Sequence, residues 1–274
     1  MIDVILLFRE ALYGALVIAL ACSVLGVYVV LRRIVFVGAA LAQISSAGIA
    51  LALFLSGLGI DALGLTRHPV AVSLIVSLLA AMLFSGGTRH RLPPDAKIGM
   101  AYALAAAAGI LRIAKATAGE AHDIFLSGNI LGITRADTLV LLGISVPVLL
   151  LHVVFYKEFL FVSFDQETAR TLGYRVTLWN LLLYFTLGLV IAFAMQFAGV
   201  LLVFNFLVLP AVTGLLVART MGGMFVVAVG AGLAAAAMGF SLSVPFDLPT
   251  SPAIIAVSGV LASIAWLIRL AQRR

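Results

Sequence analysis

An all-α, polytopic membrane helix bundle of about 8–9 transmembrane helices is the fold class this sequence predicts, on three observations. Hydrophobic residues make up 64% of the 274 residues and charged residues 10%, where a soluble domain carries about a quarter of its residues as charges. Apolar runs of bilayer-spanning length recur along the chain, at about 11–31, 34–57, 69–85, 98–111, 136–156, 177–197, 199–217, 222–243 and 251–268. These runs are continuous and do not alternate; since only helices and closed barrels satisfy the backbone in lipid, they predict helices. Residues 1–274 read as a single transmembrane domain with no hydrophilic stretch long enough for a separate soluble one.

Each run adds something in turn. The first holds the single cysteine, Cys22, which excludes an intramolecular disulfide and reads as a buried apolar thiol. Asp3 and Glu10 stand where a cleavable signal carries basic residues, so the first span is expected to stay in the mature protein. In the second run Gln43, Ser45 and Ser46 keep one stretch polar; they could line a hydrated path or bond between helices. His68 reads as a loop residue beside Pro69, and His90 as part of a basic loop. The 98–111 run is short and could join 124–134 in one irregular element, which leaves the span count open. Between them lies GEAHD, where Glu120, His122 and Asp123 form the one local cluster of metal-ligand types. A solvated loop is the competing interpretation of that cluster. His152 reads as a satisfied helix histidine, and Asp247 as a cap for a helix starting near Pro249–Thr250. Gln196 and Asn205 fall within or between the apolar runs, at a depth where polar groups face the bundle or a cavity.

The distribution of the 17 lysines and arginines orients the bundle. Arg32/Arg33, Arg89/Arg91/Lys97, Lys157/Arg170/Arg175, Arg219 and Arg269/Arg273/Arg274 fall on one side, and only Arg9, Arg67, Arg112, Lys115 and Arg135 on the other. The richer side is expected to be cytoplasmic, with the C-terminus inside and, for nine spans, the N-terminus outside. A net charge of +6 then reflects attraction to an anionic leaflet and not nucleic-acid binding. A secondary transporter needs an ionisable relay in mid-membrane, and the acids here fall at ends and loops. An intramembrane enzyme needs a paired nucleophile and base, and no such pattern occurs. No GxxxxGK[ST] phosphate loop occurs either, so any nucleotide must bind a separate subunit.

The stretch 162–175, VSFDQETARTLGYR, has the pattern of a short amphipathic helix between two spans. Asp165 is placed as the N-cap, Glu167 in the first turn and Gly173 at the stop. An ordinary solvated loop helix would look the same by periodicity alone. Phe164-Asp165, Glu167, Ala169-Arg170 and Gly173 also match the "FDPEFARxxG" segment of the zinc/manganese/iron ABC-importer permeases. Residues 199–218 resemble that family's "GxLLVxALLVxPAATAxLLA" helix, and 247–253 its "DLPTGPA". Asp95-Ala96 with Ile98-Gly99 and residues 127–131 match two further motifs, in the same order, from about Arg32 to Arg269.

The resemblance implies the integral-membrane permease subunit of an ATP-driven importer for a divalent transition metal in a bacterial cytoplasmic membrane. It further implies a homodimer, an ATPase subunit docked on Phe164, Asp165, Glu167, Ala169, Arg170 and Gly173, and an extracytoplasmic solute-binding protein. ATP would bind the partner, leaving this chain without a bound cofactor. One motif departs from the family: "GDxLxHxxLxG" becomes GAALAQISSAG, with Ala39 for the Asp and Gln43 for the His. Alanine has no donor atom, and an amide is a weak ligand for transition metals. The departure leaves three accounts of the cargo: a metal coordinated elsewhere, a metal passing without tight coordination, or a chelated metal or other small solute. Asn205, where the family usually has a small apolar residue, is a second candidate for altered selectivity.

Overall fold

The computed structural model describes residues 8–57, 68–86, 94–113, 130–243 and 245–272. Among these the regular structure is helical, with no strand. In chain order the helices are α1 (Arg9–Leu31), α2 (Phe36–Gly57), α3 (Pro69–Ser85), α4 (Pro94–Ile113), α5 (Arg135–Val154), α6 (Tyr156–Phe164), α7 (Gln166–Thr171), α8 (Val176–Val217), α9 (Met221–Ser243) and α10 (Thr250–Ala271). A 3-10 turn, Ile130–Gly132, precedes α5. Six of the described helices (α1, α2, α5, α8, α9 and α10) are long and apolar enough to cross a bilayer, and α3 is a shorter apolar helix.

Helix α8 explains why two sequence runs appear as one element. At 42 residues, a straight helix would extend ~63 Å, about twice the hydrocarbon thickness of a bilayer. Its ends, however, return to the same place. Asn180 accepts a 2.6 Å hydrogen bond from Arg32 at the end of α1, and Ala211 packs on Val27, one turn earlier in α1, and on Met224. The reversal sits at Gly199, the one residue with non-helical dihedrals (φ 73°, ψ 168°), in a region that favours glycine. The arms 176–198 and 200–217 therefore form a hairpin. Together with α1 they make the centre of the bundle, around fully buried Leu25, Leu187, Ile191 and Phe206.

Small residues let the centre close. A Cβ on Gly26 of α1 would overlap the carbonyl oxygen of Leu207 in the second arm, so the two backbones touch where lipid tails supply no competing hydrophobic drive. Charge collects at one end of the bundle. Arg32, Lys97 and Arg170 line a common cavity of about 180 Å³, and Arg269 donates to the carbonyls of Leu215 and Leu216 at 3.0 and 3.1 Å. At the opposite end, Arg9 and Glu10 of α1 lie beside Arg135 and Thr138 of α5.

Two local expectations bear on the ends of helices, and one of them is corrected. The 98–111 run lies in a longer helix, α4 over Pro94–Ile113, started by proline at its first position with Asp95 in the first turn; its expected junction with 124–134 falls partly on residues outside the described ones. Hydropathy missed that turn because it is polar. Asp247 does not cap α10, whose N-cap position is Pro249 with no side-chain cap bond. Asp247 instead occupies the left-handed region (φ 51°), which Asp tolerates better than most residues. Ser243 makes the junction, bonding the Leu248 carbonyl at 3.0 Å and the Thr250 hydroxyl at 2.8 Å.

Candidate functional site

Helix α7 has a defined start and stop. Asp165 is the N-cap: its Oδ1 accepts from the Glu167 and Thr168 amides at 3.0 Å each, and its Oδ2 from the Thr168 hydroxyl at 2.5 Å. These bonds, led by the Thr168 hydroxyl, hold the carboxyl below its ordinary range. At the other end Gly173 adopts φ 84°. The Tyr174 amide bonds the Ala169 carbonyl at 3.0 Å and the Gly173 amide that of Arg170 at 3.1 Å, the pair of bonds that defines a Schellman motif. Two of the six candidate docking residues thus have a geometric reason for their identity.

A third is Ala169. It is fully buried and packs with Val162 of α6 and Val176 of α8, with Phe161 and Trp179 alongside. Only a small side chain lets α7 lie this close to both flanking helices. Phe161 and Tyr174 add an edge-to-face pair at 5.3 Å. Phe164, Glu167 and Arg170 are exposed, and with Leu172 and Tyr174 the segment presents three large exposed hydrophobic side chains at the basic end. Sequence reasoning missed Leu172 and Tyr174, which lie outside the matched positions; their apolar character beside a polar helix was the available signal.

The polar residues of the spans separate into two groups. Ser45 is fully buried and bonds Ser73 of α3 at 2.6 Å. Asn205 is buried and donates to Ser258 of α10 at 3.0 Å, while its Oδ1 has no partner among the described residues. These two tie helices together. Gln43 and Ser46 are half-buried and share one face of α2 with Ala39, Ala47 and Ala50, in helical spacing. Gln196 is half-buried and donates back to the Ala192 carbonyl of its own helix at 3.2 Å. The structure thus brings Ser45 to α3 and Asn205 to α10, and leaves Gln43 and Ser46 on an open face.

Glu120, His122 and Asp123 lie outside the described residues. Among the described residues no three His, Cys, Asp or Glu side chains gather as a metal site. His152 is buried against Phe159 (stacked at 4.3 Å) and Tyr28, its Nδ1 2.9 Å from the Val148 carbonyl. Cys22 is buried and unpaired.

The geometry is that of an apolar helical membrane protein with a hairpin at its centre and a short capped helix at its basic end. The model of the ABC 3 transport family matches residues 5–269, and the chain belongs to that family. It is 31% identical over 269 residues to an uncharacterized membrane protein of Synechocystis, covering 97% of this chain and 90% of the relative. It is 27% identical over 267 residues to the manganese import system permease protein ScaB of Streptococcus gordonii, covering 97% and 92%. The fold matches a chain of PsaBC from Streptococcus pneumoniae in complex with Fab, with a TM-score of 0.81, 27% identity and coverage of 97% and 94%.

Proposed function

We propose that this chain is the permease subunit of an ATP-driven importer that moves a divalent transition metal ion, manganese first among manganese, iron and zinc. The similarity to a manganese import permease over nearly the whole of both chains supports the cargo class. The observation that carries the mechanism is α7: a short helix fixed at both ends, seated through Ala169 and displaying Phe164, Leu172 and Tyr174 at the basic end. An ATPase subunit docks on this helix, binds the nucleotide and transmits closure of its own pair to the bundle. This chain itself holds no cofactor. Two copies enclose the path, with the half-buried face of Gln43 and Ser46 toward it, and an extracytoplasmic binding protein delivers cargo at the opposite end.

The topology follows from the same features. Counting the α8 arms separately and including α3 and α4 gives nine spans, the upper of the two expected counts, in a bacterial cytoplasmic membrane. The end bearing Arg32, Lys97, Arg170 and Arg269 is cytoplasmic, so the C-terminus is inside. A secondary transporter fits poorly, because the acids among the described residues lie at helix starts and in connections.

A second cargo has its own support. Ala39 and Gln43 replace the donor pair that the family pattern places on α2, which favours a chelated metal or other small solute. The test is uptake into proteoliposomes holding this chain, its ATPase and its binding protein. ATP-dependent uptake of free Mn²⁺ supports the metal reading. ATP-dependent transport of a chelate, with no uptake of free Mn²⁺, Fe²⁺ or Zn²⁺, replaces it with the second.

A further inference from the structure

Both flanks of the docking helix are held by one side chain. Arg32 sits at the C-terminal end of α1, where a cation is favoured by the helix dipole. Its Nε donates to Ser163 Oγ at 2.9 Å and its Nη1 to Asn180 Oδ1 at 2.6 Å. Ser163 is in the last turn of α6, two residues before the Asp165 cap; Asn180 is in the first turns of α8, just past the Schellman stop. Ser163 spends its own proton on the Phe159 carbonyl at 2.6 Å, so its oxygen is left to accept from the guanidinium. Arg32 makes no ion pair among the described residues, and the two bonds run to neutral acceptors on separate helices.

We infer that Arg32 is a positioning residue for energy coupling: it fastens both ends of the docking segment to α1, so that a push on α7 moves the bundle centre with it. The inference rests on the proposed docking of an ATPase at α7. Without the clamp, α6 and the start of α8 could flex on their own and absorb the motion locally. With it, displacement passes into α1, which meets the second α8 arm backbone-to-backbone at Gly26 and Leu207. The fork is specific to arginine. A planar guanidinium reaches two acceptors in fixed directions, whereas a lysine ammonium is a single point of attachment.

The experiment measures cargo transported per ATP hydrolysed, in proteoliposomes of the full complex, for wild type, Arg32→Lys, Asn180→Ala and Asn180→Asp. Arg32→Lys and Asn180→Ala are expected to hydrolyse ATP while moving at least about fivefold less cargo per ATP. Asn180→Asp keeps an acceptor for Nη1 and is expected to retain the wild-type ratio. An unchanged ratio in Arg32→Lys and Asn180→Ala overturns the inference while the importer reading stands. Failure of those two variants to assemble, with Asn180→Asp intact, also overturns it and assigns the clamp to folding. A wild-type complex that moves cargo without hydrolysing ATP sinks the importer reading and the inference with it.

Discussion

Asp165 and Gly173 are single residues on which a whole helix depends. Asp165→Ala removes the acceptor for two amides and a hydroxyl, and is expected to weaken retention of the ATPase in pull-downs while leaving the permease folded. The pH dependence has a definite sign. The folded carboxyl sits below its ordinary value of 3.8, so the cap's contribution is complete above that value and is lost only as pH falls through the depressed one. ATPase retention should therefore not titrate on account of Asp165 near neutral pH, which a binding series across pH checks. Gly173→Ala puts a Cβ on a residue at φ 84°, costing about 1–2 kcal/mol, and should lower ATPase retention in the same assay. At the cargo end, Ala39→Asp combined with Gln43→His places a carboxylate and an imidazole one turn apart on α2. The pair is expected to tighten Mn²⁺ or Zn²⁺ binding, measured by metal content after dialysis.

At the scale of elements, the close approach of α1 to the second α8 arm leaves little room for change. Gly26→Ala would drive a methyl against the Leu207 carbonyl, and overpacking of this kind costs about 1–3 kcal/mol. A lowered thermal midpoint in detergent is the expected outcome, against little change for Gly143→Ala, where a Cβ meets nothing within 4 Å. The hairpin in α8 has a similar local origin. Its arms are mostly apolar, and the signal between them in the sequence is the polar Gln196 with the glycine that follows at 199. Chain reversal is carried by that one backbone conformation.

For the molecule as a whole, the basic end and the opposite end make opposite predictions for labelling. On a Cys22→Ala background, a cysteine at Leu172 should react with an impermeant maleimide from the cytoplasmic side, and one at Leu248 from the outside. Both positions are exposed, so reaction from the reversed sides would invert the proposed topology. The part-buried bonds of Arg32 to Ser163 and Asn180 and the exposed face of α7 lie at the same, basic end of the bundle.

Composition determined the solvent, and the continuity of the apolar runs then determined the helical class, because backbone groups in lipid have few ways to be satisfied. Local pattern determined the short helix α7, since N-caps and C-terminal glycines act within a few residues: Asp165 and Gly173 stand where the pattern put them. Pattern also carried the family resemblance. The polar start of α4 and the junction before α10 escaped it, since one is invisible to hydropathy and the other turns on a hydrogen bond from Ser243 that spacing does not reveal. What only the tertiary structure decided were relations between distant residues. Ser45 meets Ser73, Asn205 meets Ser258, and Arg32 spans Ser163 and Asn180 across more than 130 positions of sequence. No period or motif encodes such pairings. They follow from which helix faces pack together, a property of three-dimensional close packing and not of any one segment.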